Sequence, residues 1–553
     1  MELSHILPFE ETINEELTIQ VQNDPCFSLY KQWLSDNGCL FPSLEFPVAF
    51  GEYGIVGTSA KTSISSLKAF LFVPYQIIIS PKKAFQSEIG FILQKHDVFK
   101  THKKSNDFVL WAFLVFEKLK GDQSFWHPYF RIIPEIELLM DWSNLELSEL
   151  QDKFLANKAK LGLKECLSYY KLIKPILVTY PEYFPGSLKE TFIWAFKVSN
   201  TRAFNHDEGI IVPMADNLNH DDVYIDYLSL SKEFLQAKSQ EIDLLKDYRD
   251  FDTNPHTSNG PMNTRTHFNR LEKYSKWFND SGFEGCRSVW ELSELFENLE
   301  SSSDEEELMN CSGTTEEDSE EEDSEEEAQY NYEFNPSDKY FVMRAGEDGS
   351  FKQGKQVFNC YGRLNNFDLL IDYGFALLPN RYDSVFLRLY IKDKNKLDHL
   401  KKLSEIVETY YIKYNKLNLD YLMHIRKLIY KNSKYPNLET AVRVEQAVVK
   451  HAKNILEDFM SNYPTTLSYD EELLKTQLGP RHKTALKYRI SQKRIVAKQL
   501  ELLQRLAGIL NKVSQGQTVE EAHWPQATIQ TAMETYPLRE YLFNLKHLSI
   551  FDK

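Results

Sequence analysis

Apolar and polar positions follow three different rhythms along this 553-residue chain. Up to residue 42 the pattern predicts a helical lead-in, with Phe27, Tyr30, Trp33 and Leu34 at helical spacing and Asn37-Gly38 as a stop. Residues 43–80 then read as short strands, EFPVAF, GIVGTS and AFLFVPYQIIIS, separated by Gly, Ser and Lys. Residues 86–198 read mostly as helix, with long stretches such as DFVLWAFLVFEKLKG and LKETFIWAFKVSN. Strand patterns return at 209–213, 340–343 and 356–360, with an insertion between them at about 231–331. From about 396 to the end the pattern is amphipathic helix throughout, as in LDHLKKLSEIVETYYIKY and HKTALKYRISQKRIVAKQLELLQRLAGIL. Strand-rich ends enclosing a helical insert, then a helical C-terminal third, predict an α+β unit followed by a separate helical domain. No regular β-α alternation is present. The spacing Gly51-Glu-Tyr-Gly54-Ile-Val-Gly57 is not G-x-G-x-x-G and opens no helix, which excludes a dinucleotide reading.

Composition narrows the class. Hydrophobic residues at 42 %, with 36 Phe and 30 Tyr, suffice for aromatic-rich cores. The start, MELSHILPFEETINEEL, is acidic and short on apolar residues, so no secretory signal is expected. The longest apolar run, FVLWAFLVF at 108–116, is about half a membrane span, and a soluble protein with no membrane partner is expected. Six scattered cysteines with no Cys-x-x-Cys argue against structural zinc and for a reducing intracellular compartment. The net charge of −17 is concentrated in one place: residues 301–327 hold 14 acids and no base, leaving 67 acids against 64 bases elsewhere. That run repels itself and buries nothing, so a disordered loop is expected. The near-neutral remainder gives nucleic-acid binding no support.

The chemistry gathers where an apolar run stops. Ile210-Ile211-Val212 is followed by PMADNLNH, which brings Asp216, Asn217, Asn219 and His220 together. Polar groups that close to a buried strand need partners. Taken alone, Asp216 reads as a turn cap and His220 as a satisfied core histidine. Asn219-His220-Asp221-Asp222 with Asp216 would also suit a two-metal phosphoesterase, but the only further cluster nearby, Asn205-His206-Asp207, precedes the strand instead of ending it.

Three stretches change that reading: AFGEYGIVGTS (49–59), NTRAFNHDEGIIVPMADNLNH (200–220) and CYGRLNNFDLLIDYGF (360–375). In this order, with a helical block between the first two, they resemble the SET-domain methyltransferases. The resemblance is to the non-histone branch typified by the Rubisco large-subunit lysine methyltransferase. That branch includes ribosomal-protein and cytochrome c lysine methyltransferases and an actin histidine methyltransferase. SFWHPYFRIIP (124–134), FKQGKQVFNCYG (351–362) and RHKTALKYRISQKRIV (481–496) add to it, the last resembling the family's substrate-binding domain. The resemblance implies a SET β-fold at 43–379 with a helical insert (about 86–198) and a pseudoknot, then an all-α substrate-binding domain at 380–553.

It also implies a cofactor, S-adenosylmethionine, and a site. Asp216, Asn219 and His220 would form the pseudoknot bed of the cofactor, and Arg202 would clamp its carboxylate. Glu52, Tyr53 and Gly54 would take the place of the family's cofactor-cradling loop, although Glu52 stands where the family has its first glycine. Tyr361 and Tyr373 would be the catalytic tyrosines, with Tyr361 also touching the cofactor. No metal is implied. The bases of the 481–498 helix read as a solvated face, or otherwise as a guide for an acidic part of a substrate. The implied function is protein-lysine N-methylation of a non-histone protein: a ribosomal protein, a translation factor or cytochrome c. A non-catalytic SET-like binding protein and a histidine methyltransferase are the alternatives. A basic protein substrate, a monomer, and a cytoplasmic location extending to the nucleus complete the expectations.

Overall fold

In the computed structural model, the residues described are 12–204, 209–231, 339–346, 349–391, 406–414, 417–430, 435, 437–517, 538 and 541. The acidic run, most of the long insertion, Cys286, Cys311 and Asn205-His206-Asp207 lie outside them. The chain divides into two compact units. The first comprises Met1–Thr264, Glu333–Asn380 and Thr476–Arg489; the second comprises Arg265–Tyr332, Arg381–Lys475 and Ile490–Lys553.

The first unit opens with helices α1 (Glu15–Asn23) and α2 (Pro25–Asp36). Asn14 and Asp24 cap them through their side chains, satisfying amides that the first turn leaves unpaired. Strands β1 (Leu44–Phe50), β2 (Ile55–Ala60) and β3 (Ala69–Pro74) follow within the stretches read as short strands, although the third ends at Pro74 and Tyr75–Ile77 forms a 3-10 turn instead of more strand. The helical insert supplies α3 (Pro81–Phe85), α4 (Gly90–Lys95), α5 (Ser105–Leu119), α6 (His127–Ile132), α7 (Asn144–Glu149), α8 (Lys153–Leu177) and α9 (Leu188–Arg202). Helix α5 explains the FVLWAFLVF run: every residue from Phe108 to Phe116 is buried, so over this stretch the helix is apolar all round because neighbours surround it. Among the described residues, no helix is long and apolar enough to cross a membrane.

Short strands β4 (Ala203–Phe204) and β5 (Ile210–Ile211) pair with each other, and β6 (Ile225–Ser231), β7 (Lys339–Ala345) and β8 (Gln356–Val357) follow. All the sheets are antiparallel: β8 joins β2 beside β1, and β7 sits between β3 and β6. Strand β6 was not anticipated in the sequence. Helix α10 (Asn366–Tyr373) closes this part, capped by Asn365 and ended by Gly374 at φ +80°. A side chain at Gly374 would meet the Glu137 carbonyl at 2.3 Å, so the glycine is needed both for its backbone and for its lack of bulk.

The second unit corrects one expectation. It is mainly helical, with α11 (Leu419–Ile429), α12 (Leu438–Ser461), α13 (Leu467–Leu473) and most of α14 (Pro480–Ser514), but it also contains a β-hairpin. Strands β9 (Ser384–Ile391) and β10 (Ile406–Lys413) pair antiparallel over their whole length. IVETYYIK, read above as part of an amphipathic helix, is β10. Its β-branched and aromatic residues favour a pleated strand once a partner strand is available. Buried polar groups here are paired: Lys493 with Asp470 at 2.5 Å, both fully buried, and Glu445 with Arg426, Tyr435 and Tyr541.

Candidate active site

The polar cluster is a knot between two crossing segments of the first unit. After β5 the chain turns at Met214, held at φ +76°, into a single turn over Ala215–Asn217. It then runs beside the residues that follow β8, with His220 and Asn359 in a parallel bridge. The Asn359 amide donates to the Asn219 carbonyl at 2.8 Å, and the Asp221 amide donates to the Asn359 carbonyl at 3.0 Å. The Asn359 side chain accepts from the Tyr227 hydroxyl at 2.5 Å and from the Cys360 amide at 2.8 Å. Backbone groups that would otherwise be costly orphans are thereby paired across the crossing.

Each polar side chain has a partner. Asp216 accepts from Arg202 Nη1 at 2.8 Å and from the Tyr129 hydroxyl at 2.6 Å; its carboxylate is 1 % exposed. Asn217 donates to Asp216 Oδ1 at 3.2 Å. Asn219 donates to the Val56 carbonyl of β2 at 3.3 Å, and Gly57 leaves room for it, since a Cβ there would lie 2.6 Å from Asn219 Nδ2. His220 Nδ1 accepts from the Tyr361 amide at 3.0 Å. Its ring stacks on Tyr361 with centroids 5.0 Å apart.

The two tyrosines meet. The Tyr361 and Tyr373 rings lie 4.9 Å apart, and the Tyr361 hydroxyl donates to the Leu218 carbonyl at 3.0 Å. Phe375 lies against both His220, at 6.0 Å, and Tyr373, at 6.2 Å. Burial dominates the electrostatics. It holds His220 down at about 4, a neutral imidazole, and lifts the Tyr361 phenol well above its usual range against the opposing pull of Arg202. Burial and then Asp372 raise Tyr373 to about 12. Burial also works against the Arg202 charge, but Asp216 and Tyr129 outweigh it and hold the guanidinium above its ordinary value.

Arg202, Asp216, Asn219, His220, Tyr361 and Tyr373 therefore come together as the sequence suggested. Two placements differ from expectation. Arg202 is bound through Nη1 to Asp216, as side chain and carbonyl, so part of its charge is spent inside the chain. The turn Glu52–Gly54 is tied to the 476–489 segment: the Tyr53 hydroxyl donates to the Leu478 carbonyl and Lys483 faces Glu52 at 3.6 Å. The β2 residues that touch the cluster are Val56 and Gly57. The bases of α14 are also not a solvated face, because Arg481 pairs with Glu137 and Glu146, Arg489 with Glu149 and Arg494 with Glu471. Sequence reasoning missed Tyr129 and Asn359, although both lie inside stretches that carried the resemblance. Two donors of the two-metal reading are engaged elsewhere, since Asp216 pairs with Arg202 and His220 Nδ1 accepts the Tyr361 amide. Among the described residues, no three His, Cys, Asp or Glu are grouped to hold a metal.

Known proteins resemble this chain in sequence and in fold. Residues 385–496 match the family model of the Rubisco LSMT substrate-binding domain. Over 206 residues the chain is 31 % identical to the chloroplastic Rubisco large-subunit N-methyltransferase of Pisum sativum, covering 35 % of this chain and 39 % of that protein. Over 200 residues it is 28 % identical to the chloroplastic fructose-bisphosphate aldolase-lysine N-methyltransferase of Arabidopsis thaliana, covering 34 % and 38 %. The matches thus span about two fifths of those relatives' own length. A crystal structure of the SET domain of LSMT bound to lysine and AdoHcy superposes with a TM-score of 0.53 at 18 % identity, covering 96 % of this chain and 97 % of that one. The α+β fold is a SET fold followed by a Rubisco LSMT-type substrate-binding domain.

One expectation falls here. A cytoplasmic location extending to the nucleus is overturned by relatives that are chloroplastic enzymes. It rested on scattered cysteines with no Cys-x-x-Cys, a pattern that does not tell one reducing compartment from another.

Proposed function

We propose that this chain is an S-adenosylmethionine-dependent protein-lysine N-methyltransferase acting on a non-histone protein. The observation that carries the reading is the Tyr361–Tyr373 pair, 4.9 Å apart and fastened to the His220–Asn359 crossing of a SET fold. When bound, the cofactor supplies an activated methyl group and its own leaving group. The donor set fits such a zwitterion. Arg202 bonds through Nη1 alone among the described residues, which leaves its remaining fork for a carboxylate, and the backbone at Asn219 and His220 would line the bed.

The rest is positioning. A lysine ammonium, with a reference pKa near 10.4, must lose its proton before its nitrogen can attack. The Tyr361 hydroxyl gives its hydrogen to the Leu218 carbonyl and so turns lone pairs toward an amine, which they can aim. Phe375 and the two tyrosine rings present an aromatic wall, which would disfavour the charged amine. Holding the nitrogen within about 3–3.5 Å of the methyl supplies most of the catalysis. The domain matching the substrate-binding family supports a protein substrate, and the acidic run supports a basic one.

The test is transfer of labelled methyl from S-adenosylmethionine by the purified chain into a lysate of a strain lacking it, read by mass spectrometry. Label on a lysine of a non-histone protein is expected. Label on histidine would select the histidine alternative. Failure to label any protein while still binding the cofactor would select the non-catalytic one.

A further inference from the structure

The segment Thr476–Arg489, which the sequence assigns to the C-terminal domain, belongs to the first unit and is fastened to it along its length. Arg481 bonds Glu146 at 2.9 and 3.0 Å and Glu137 at 3.1 Å. The Tyr488 hydroxyl donates to Asp152 at 2.6 Å, and Arg489, almost fully buried, donates to the Glu149 carbonyl at 2.7 Å. Its other contacts reach the β1–β2 turn. The Tyr53 hydroxyl donates to the Leu478 carbonyl at 2.5 Å, Lys483 lies 3.6 Å from Glu52, and the same ammonium sits 5.3 Å from the centre of the Tyr53 ring. On its other side the turn rests on the N-terminal helix. Asn14 donates to the Gly51 carbonyl, and Leu17 packs so closely on Gly54 that a Cβ there would lie 2.6 Å away.

A turn built on two left-handed glycines, Gly51 at φ +69° and Gly54 at φ +64°, has little conformational preference of its own. Its shape is set by what grips it from outside. Two residues further on, β2 provides Val56 and Gly57 to Asn219, so a shift of the turn is passed directly to the polar knot. Arg481 reaches the other end of the site: its partner Glu137 has its carbonyl against Gly374, next to Tyr373.

We infer that residues 476–489 form a strap that fixes the β1–β2 turn, and that Tyr53 and Lys483 are positioning residues acting on cofactor affinity through this turn. The inference rests on the proposed function, because it takes the turn as one wall of the cofactor bed. A hydroxyl bonded to a carbonyl positions firmly whatever the salt. The Lys483–Glu52 pair is half exposed and screened by salt.

The test measures S-adenosylhomocysteine binding by calorimetry, and kcat at saturating cofactor, for the full chain and for Tyr53→Phe, Lys483→Met and Lys483→Arg. Tyr53→Phe is expected to weaken binding about fivefold, the worth of one net hydrogen bond, with kcat at saturating cofactor falling by less than the affinity. Lys483→Met is expected to weaken it about two- to threefold at low salt and not at all at 0.5 M salt, with Lys483→Arg restoring most of the loss. Wild-type affinity in both Tyr53→Phe and Lys483→Met would overturn the strap. An equal fall in affinity, kcat and melting temperature would also overturn it, by showing a merely structural contact. Failure of the wild-type chain itself to bind the cofactor would instead overturn the proposed function.

Discussion

Acidification should loosen the first unit through one imidazole. His220 is 4 % exposed, and burial lowers it from 6.5 to about 4. Its Nδ1 accepts the Tyr361 amide, a role that only the unprotonated nitrogen can play. The unfolded chain takes up this proton near pH 6.5 and the folded chain only near pH 4. Because the unfolded state binds more protons in between, stability from this group is complete above pH 6.5 and is lost as pH falls toward 4. Linkage for a single group gives a loss of about 2 kcal/mol between pH 7.5 and pH 5. The assay is urea unfolding of the full chain at both pH values, followed by tryptophan fluorescence. Trp33, Trp111, Trp126, Trp142 and Trp194 all lie in the first unit. Asp372, raised to about 6 by burial and by Asp368, works in the opposite sense, so the comparison is with His220→Gln, in which every other group is retained. The variant should be less stable at pH 7.5 and should lose about 2 kcal/mol less on acidification. An identical loss in both proteins would refute the buried neutral imidazole.

Tyr361→Phe should lower turnover by about two orders of magnitude or more and leave cofactor affinity nearly intact, since its hydroxyl is asked to act on the amine; steady-state kinetics and calorimetry together check this. Gly57→Ala should cost about 1–3 kcal/mol in stability and weaken cofactor binding, because the new methyl would lie 2.6 Å from Asn219 Nδ2; chemical unfolding and calorimetry measure the two effects. Deleting residues 301–327 should leave methylation of a short peptide unchanged. It should slow capture of a full-length basic substrate at low salt only, as stopped-flow binding at two salt concentrations would reveal.

By itself the sequence determined much of this protein. Strands β1 to β3 and the helices of the insert follow from their own residues: short apolar runs between Gly, Ser and Lys, and longer ones such as DFVLWAFLVFEKLKG whose length marks helix. The polar run Asp216–His220 was legible as a site because four hydrogen-bonding side chains next to a buried strand demand partners. Which partners they take was decided only by the tertiary structure. Tyr129 lies 87 residues before Asp216, and Asn359 lies 140 residues after Asn219, and no local signal couples either pair. The strand character of IVETYYIK was hidden because its residues suit either rhythm until β9 pairs with them. The bases of the 476–489 segment look like a solvated face in one dimension. Their acidic partners come from helices and loops more than three hundred residues away, so only the folded chain could show them paired.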